Sequence, residues 1–98
     1  MDNTIFRLGK NILKRYEHNF KGGTIFLYDV ITRDLWIGNA SSYDIIQLID
    51  GKNTLSEIYK KLLPAYSMYS EKEAIDSFNS IISELQEKGF VEKISLDK

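Results

Sequence analysis

Side chains that could perform chemistry are few in this chain of 98 residues, which has one histidine and no cysteine. Without cysteine there can be no thiol nucleophile, disulfide, iron–sulfur cluster or thiolate zinc site. A metal site would need His18 together with carboxylates only, and His18 stands beside Asn19 near a predicted turn. We interpret His18 as a surface residue, and we expect neither a metal site nor a bound cofactor.

Two pairs of carboxylates, Glu71 with Glu73 and Glu84 with Glu87, are the remaining candidates for acid–base work. The first pair lies at a predicted helix start, where the helix dipole favours acidic side chains. The second pair is typical of a solvated helix face. The Gly22-Gly23 pair lacks the spacing, the lysine and the following helix of a phosphate-binding loop. The sequence therefore predicts no catalytic residue, and we expect a protein that is not an enzyme.

Composition excludes further classes of protein. The chain is 43% hydrophobic and 28% charged, which favours one folded domain over residues 1–98, with about ten N-terminal residues and the last few flexible. Its net charge of −1 gives no field that would recruit nucleic acid or an anionic membrane. The apolar runs are too short to span a bilayer, and the N-terminus lacks a secretion-signal pattern. We expect a cytoplasmic protein.

Three strands are predicted in the first half of the chain. Residues 24–30 are rich in β-branched and aromatic side chains, and residues 33–38 follow after a link short enough for an antiparallel hairpin. An earlier strand is predicted over residues 12–17, because the turn signal of residues 21–23 comes after it. A helix over residues 4–16 is the competing interpretation, since its apolar residues also fall on one face.

Three helices are predicted in the second half. The first covers about residues 41–49, with Asn39 or Ser41 as its N-cap and Gly51 as a left-handed residue beyond its end. The second begins at a capping box formed by Thr54 and Glu57. It should end near residue 63, because the following proline cannot continue a helix.

The third helix opens with another capping box, Ser70 to Glu73, and Gly89 should stop it after residue 88. A last strand over residues 90–95 would join the sheet or pack against it. The order predicts an α+β domain of winged helix-turn-helix type, with a three-stranded antiparallel sheet followed by three helices. Residues 51–53 have the length of a helix-turn-helix turn.

A winged helix often binds DNA through its third helix. Residues 71–88 carry five acidic and two basic residues here, so the element that would approach the phosphates has a net charge of −3. This charge opposes DNA binding. A winged-helix DNA-binding regulator stays as one alternative function, and a non-catalytic scaffolding subunit of a larger enzyme stays as another.

The third predicted strand is a candidate surface for another polypeptide. In a simple meander it lies at the sheet edge, and it has neither the lysine nor the proline that commonly block pairing. An extended peptide could add there through backbone hydrogen bonds. Leu35 and Ile37 share one face, and Trp36 and Gly38 share the other. From the residues alone, core packing is the commoner role for these side chains, and the face that points inward stays open.

The order of these signals resembles the PqqD-like family, the recognition elements of ribosomally synthesised and post-translationally modified peptides (RiPPs), over about residues 12–92. The strongest stretch, residues 46–58, is a helix ending in Asp-Gly followed by a Thr-capped amphipathic helix. The features that carry the resemblance are Gly22-Gly23, Leu27-Tyr28-Asp29, Thr32, Asn39, Ile45-Ile46, Leu48-Ile49-Asp50-Gly51, Thr54, Glu57-Ile58, Phe78, Leu85, Lys88-Gly89-Phe90-Val91 and Glu92.

The resemblance implies a stand-alone adaptor that binds a peptide. Such domains hold the leader of a precursor peptide as an added strand on the third strand, against the third helix, and present it to an enzyme. The implied partners are the leader peptide and a maturation enzyme such as a radical SAM enzyme or a lasso-type leader peptidase. Carried onto this sequence, the peptide-binding residues are Asp34, Leu35, Trp36, Ile37, Phe78, Ile81, Ile82 and Leu85.

One position departs from the family's pattern. Members usually have a leucine before the asparagine, where this chain has Gly38. That leucine commonly helps to fill the core. The departure leaves two alternatives: Trp36, two residues earlier on the same face, fills the space, or Leu35 and Ile37 face the core.

Overall fold

The structure, a computed structural model, describes residues 3–94. It confirms the α+β class, with a three-stranded antiparallel sheet and three helices. In chain order the elements are β1 (Ile5–Leu8), β2 (Ile12–Glu17), β3 (Thr24–Asp29), β4 (Leu35–Asn39), α1 (Ala40–Leu48), β5 (Asp50–Thr54), α2 (Leu55–Leu62), a short 3₁₀ helix (Leu63–Tyr66), α3 (Glu71–Glu87) and β6 (Val91–Ile94).

The main sheet has the strand order β2-β3-β4, and both pairings are antiparallel. The residues once open to a helical interpretation, 4–16, form β1 and β2 instead. The predicted hairpin between β3 and β4 is confirmed. Its turn is closed by the Asp29 carboxylate, which accepts hydrogen bonds from the amides of Ile31 at 2.9 Å and Thr32 at 3.1 Å. Donation from Thr32 and Ile31 holds the pKa of Asp29 below its ordinary value of 3.8.

Local signals place the first two helices as predicted. Asn39, rather than Ser41, caps α1, because its side-chain oxygen accepts the amide of Ser42 at 3.0 Å. The capping box at the start of α2 is formed in both directions between Thr54 and Glu57. The helix then tightens into the 3₁₀ helix that contains Pro64, which agrees with the expected end near residue 63.

The third helix also follows its signals. Ser70 and Glu73 form both hydrogen bonds of a capping box at its start. Beyond its end, Gly89 adopts a φ of +83°, the left-handed conformation that glycine accepts without a steric cost. Gly51 after α1 does the same, with a φ of +80°.

A second three-stranded antiparallel sheet, with the order β5-β1-β6, is absent from the sequence predictions. β1 lies in the N-terminal stretch expected to be flexible, and its Phe6 is buried. β6 joins this sheet rather than the main one, and Ser95, in the predicted last strand, lies outside the described residues. The prediction of flexible termini also covers residues 1–2 and 95–98, which lie outside the described residues.

Residues 51–53 connect α1 and α2, as the predicted turn does, but they form a strand. They belong to β5, which pairs with β1 between Ile5 and Thr54 and between Arg7 and Asp50. Nothing in the polar sequence of β5 predicts a strand. It forms one because its neighbour β1 offers backbone partners, while the Asp50 carboxylate accepts the amides of Lys52 and Asn53, each at 2.9 Å.

The core lies between the inner face of the main sheet and the helices. Burying one large apolar side chain contributes about 1.5–3 kcal/mol, so this cluster dominates the stability of the fold. Its largest fully buried members are Phe78, Phe90, Ile25, Leu27, Ile45, Ile46, Ile58 and Leu85. Over residues 3–94, no helix combines the length and apolarity that a membrane span requires.

Candidate functional site

β4 pairs with β3 on one side. Its other side pairs with no strand of residues 3–94 and is called here the β4 edge (Leu35–Asn39). The amide of Asp29 donates to the carbonyl oxygen of Asp34 at 2.9 Å, which fixes the phase of the hydrogen-bond ladder. Backbone groups alternate in direction along an antiparallel strand. The backbone N–H and C=O groups of Trp36 therefore bond to β3. Those of Leu35 and Ile37 point outward, where a second chain could reach them.

A groove of about 750 Å³ lies between the β4 edge and α3. The start of α1 contributes to its floor, and Tyr66 and Tyr69 line it before α3 begins. The α3 wall is set by helical spacing, because residues three or four apart share a face. That face presents Glu73, Ser77, Ile81 and Glu84, with Ala74 and Phe78 beside them.

Trp36 connects the two walls of the groove. Its indole Nε1 donates to the Glu84 carboxylate at 2.9 Å, and the residue is only 7% exposed. Its ring lies over Gly38, where an added Cβ would stand 2.7 Å from two ring carbons and 2.8 Å from the Ser42 Cβ. Trp36 therefore occupies the space that a larger residue at position 38 would need, which is the first of the two alternatives left by the sequence.

The direction of the β4 side chains is settled by burial. Trp36 points inward, whereas Leu35 and Ile37 are each 56% exposed on the opposite face of the sheet. A strand added at the β4 edge would continue this alternation, because side chains on successive residues point to opposite faces. Every second side chain of such a strand would enter the groove.

The structure brings four of the eight residues carried over from the resemblance into the groove: Trp36, Ile37, Phe78 and Ile81. Asp34 and Leu35 stand at the turn end of β4, outside the lining. Ile82 and Leu85 face the core, with 4% and 0% of their surface exposed.

Sequence reasoning missed four α3 residues that line the groove. One is Ala74, and the other three are polar: Glu73, Ser77 and Glu84. The signal for these three was available, since they lie three, four or eight residues from Ile81. They are polar, so a prediction based on an apolar stripe along α3 does not include them. It selected Ile82 and Leu85, which belong to the adjacent stripe that is buried.

The other chemical candidates lie away from the groove. His18 is exposed, and its ring meets the ring of Tyr16 edge-on at 4.7 Å. Among residues 3–94, no three histidine or carboxylate side chains are grouped closely enough to hold a metal ion. Within its observed bounds α3 carries five acidic residues and one basic residue, a net charge of −4 that disfavours contact with phosphates.

The chain matches no protein-family model and no curated protein. Among solved structures it is similar to one described as "Lasso peptide synthetase B1 complexed with the leader peptide", with a TM-score of 0.69. The match covers 89% of this chain and 96% of that chain at 20% sequence identity. At this identity the likeness is one of fold, and it covers most of both chains.

Proposed function

We propose that this protein is a non-catalytic adaptor that binds the leader segment of a ribosomally synthesised precursor peptide. The observation that carries the proposal is the unpaired β4 edge, which faces a groove walled by α3. Edge strands with free backbone groups bind extended peptides by strand addition. The fold likeness to a synthetase B1 that was solved with a leader peptide supports the same assignment.

In the proposed complex the leader pairs with the outward backbone groups of Leu35 and Ile37. Its groove-facing side chains contact Phe78 and Ile81 on α3, and the Trp36 indole forms the floor between the walls. The remaining residues carried over from the family have supporting roles. Leu35 makes the last pairing before the turn, Asp34 holds the end of β4 by accepting the Asp29 amide, and Ile82 and Leu85 back the α3 wall from the core.

The adaptor's effect on maturation is one of concentration. A leader held at the β4 edge keeps the attached core peptide close to whichever enzyme the adaptor binds, which raises its effective concentration there. The proposed enzyme is a separate polypeptide of the cytoplasm, such as a radical SAM enzyme or a leader peptidase. The adaptor then belongs to the PqqD-like recognition elements.

Nuclear magnetic resonance titration tests the proposal. The probe is a synthetic peptide that copies the N-terminal half of a short precursor encoded beside the gene. We expect the largest amide shifts at Leu35, Ile37 and Ile81, and no shift at Lys14 on the opposite edge of the sheet. A peptide that binds while those three amides stay unchanged would contradict strand addition at the β4 edge.

A further inference from the structure

The groove carries charge of one sign. Its charged lining residues are two carboxylates, Glu73 and Glu84, and no lysine, arginine or histidine of the described chain lines it. Lys88 approaches the Glu84 carboxylate at 3.8 Å, but both side chains are about half exposed, so this contact offsets little of the charge. A peptide entering the groove therefore meets a negative potential.

Each carboxylate is accompanied by aromatic rings. At one end, the Trp36 indole donates to Glu84. Towards the start of α3, Tyr66 and Tyr69 line the groove together with Glu73. An aromatic surface next to a carboxylate favours an organic cation, because the ring quadrupole and the anion both attract it. Between the two ends the lining is apolar or small, with Ile45, Ala74, Ser77, Phe78 and Ile81.

Helix geometry gives the distance between the two ends. Glu73 and Glu84 are eleven residues apart on α3, which corresponds to about 16 Å along the helix axis. An extended strand advances about 3.3 Å per residue, and its side chains return to the same face every second residue. For a strand that runs along α3, two groove-facing side chains that reach both carboxylates are therefore about four or six residues apart.

We propose that the groove selects leader segments in which two basic side chains, four or six residues apart, flank groove-facing apolar residues. The inference rests on the proposed function and specifies its ligand. Lysine or arginine at the two flanking positions pairs with Glu73 and Glu84, and aspartate or glutamate there is rejected.

Selection from a displayed library of random twelve-residue peptides tests this ligand, because it needs no known precursor. The wild-type protein is compared with the double variant Glu73→Gln/Glu84→Gln. Glutamine can still accept the amide of Ser70 in the capping box and the Trp36 Nε1–H, so the variant removes charge and keeps the hydrogen bonds. Unchanged fluorescence of Trp36, the sole tryptophan, verifies that the indole stays in place.

The matched control is Glu71→Gln/Glu87→Gln. It removes the same two charges from the same helix, within three residues of each target, at positions that do not line the groove. We expect wild-type selections to enrich basic over acidic residues at two positions four or six apart. The groove variant should lose that preference and bind the selected peptides about five- to twentyfold more weakly, with the control unchanged.

The outcomes separate this inference from the proposed function. If the selected peptides bind at the β4 edge but show no preference for basic residues, the charge inference is overturned. The proposed leader-binding function is unaffected by that result. An equal loss in the control variant also overturns the charge inference, because the effect then comes from the overall field of α3. If the selected peptides bind equally well when position 37 is changed to proline, they bind elsewhere, and the proposed function fails as well.

Discussion

The main sheet has two unpaired edges of opposite character. The first is the β4 edge, and the second is the β2 edge (Ile12–Glu17). On the β2 edge, Lys14 lies opposite Leu27 and therefore shares the inner face of the sheet with Trp36. Arg15 and Glu17 form an ion pair beside it. Charged residues that point inward at an edge are a common obstacle to further pairing.

The β4 edge lacks these obstacles and has a wall beside it. Its backbone groups are no more numerous than those of the β2 edge, so hydrogen-bonding capacity alone does not distinguish the two. The difference lies in the surroundings, since α3 stands next to β4 and supplies apolar contacts for an added strand. Under the proposed function, the neighbouring helix rather than the free backbone groups makes one edge, and not the other, a binding site.

Proline substitution at the two edges should separate them most strongly. In Ile37→Pro the lost N–H is one that points away from β3, so the sheet keeps its own hydrogen bonds. Leader binding should weaken by about tenfold or more, because one backbone hydrogen bond is lost and the ring obstructs its neighbour. Isothermal titration calorimetry measures the change.

Lys14→Pro is the matched control for that experiment. Because backbone groups alternate in direction along the strands, the Lys14 N–H points away from β3, on the open side of β2. Lys14→Pro therefore removes an outward N–H from the β2 edge, as Ile37→Pro does from the β4 edge. Binding should be unchanged in this variant. An equal loss at both edges would mean that sheet stability, rather than edge pairing, controls binding.

Enlarging Gly38 should have the next largest effect. In Gly38→Leu the new side chain meets the Trp36 ring and the Ser42 Cβ at less than 3 Å, so one of them must move. We expect a loss of about 1–3 kcal/mol in the free energy of unfolding, measured by urea denaturation. The double variant Trp36→Val/Gly38→Leu vacates the ring's space and should recover part of that loss. If adding Trp36→Val recovers no stability, the Trp36 ring does not occupy the space that a side chain at position 38 would need.

The fold was most predictable where a few neighbouring residues decide the structure. Two capping boxes, Pro64 and Gly89 fix the ends of α2 and α3 through contacts within four residues. The second sheet could not be predicted in this way. β5 is polar throughout, and it is a strand only because β1, more than forty residues earlier, pairs with it.

The site was predictable in outline and not in detail. The absence of lysine and proline from residues 33–38 pointed to the β4 edge, and family likeness pointed to α3. The hydrogen bond from Trp36 to Glu84 joins residues 48 positions apart, and no local pattern reveals it. Glu84 was interpreted as part of a solvated face, although it connects the helix to the edge strand.

Removing that hydrogen bond should have a smaller effect than disturbing Gly38. Trp36→Phe keeps an aromatic ring over position 38 and loses the Nε1–H donor. A hydrogen bond to a carboxylate that is about half exposed contributes about 1 kcal/mol, so unfolding should become easier by that amount. Thermal denaturation measures it. In Glu84→Gln the acceptor is retained, and that variant should stay near the wild-type stability. A larger loss in Glu84→Gln than in Trp36→Phe would show that charge, rather than the hydrogen bond, joins the two walls.

The smallest expected effect concerns pH and arises at the turn between β3 and β4. Hydrogen bonds from Thr32 and Ile31 lower the pKa of Asp29 in the folded protein. A lowered carboxyl pKa stabilises the fold fully above the ordinary value of 3.8, and that contribution is lost as the pH falls through the lower folded value.

Asp29→Asn keeps an acceptor for the two amides and removes the titration. Below pH 4, wild-type amide signals of Ile31 and Thr32 should shift with pH, and those of the variant should not. Asp50 also has a lowered pKa, but both proteins contain it, so the difference between them isolates Asp29. If that shift extends to Leu35 and stops before Lys14, the turn is coupled to the β4 edge and not to the β2 edge. A shift of equal size on β2 would mean that the sheet responds as one unit.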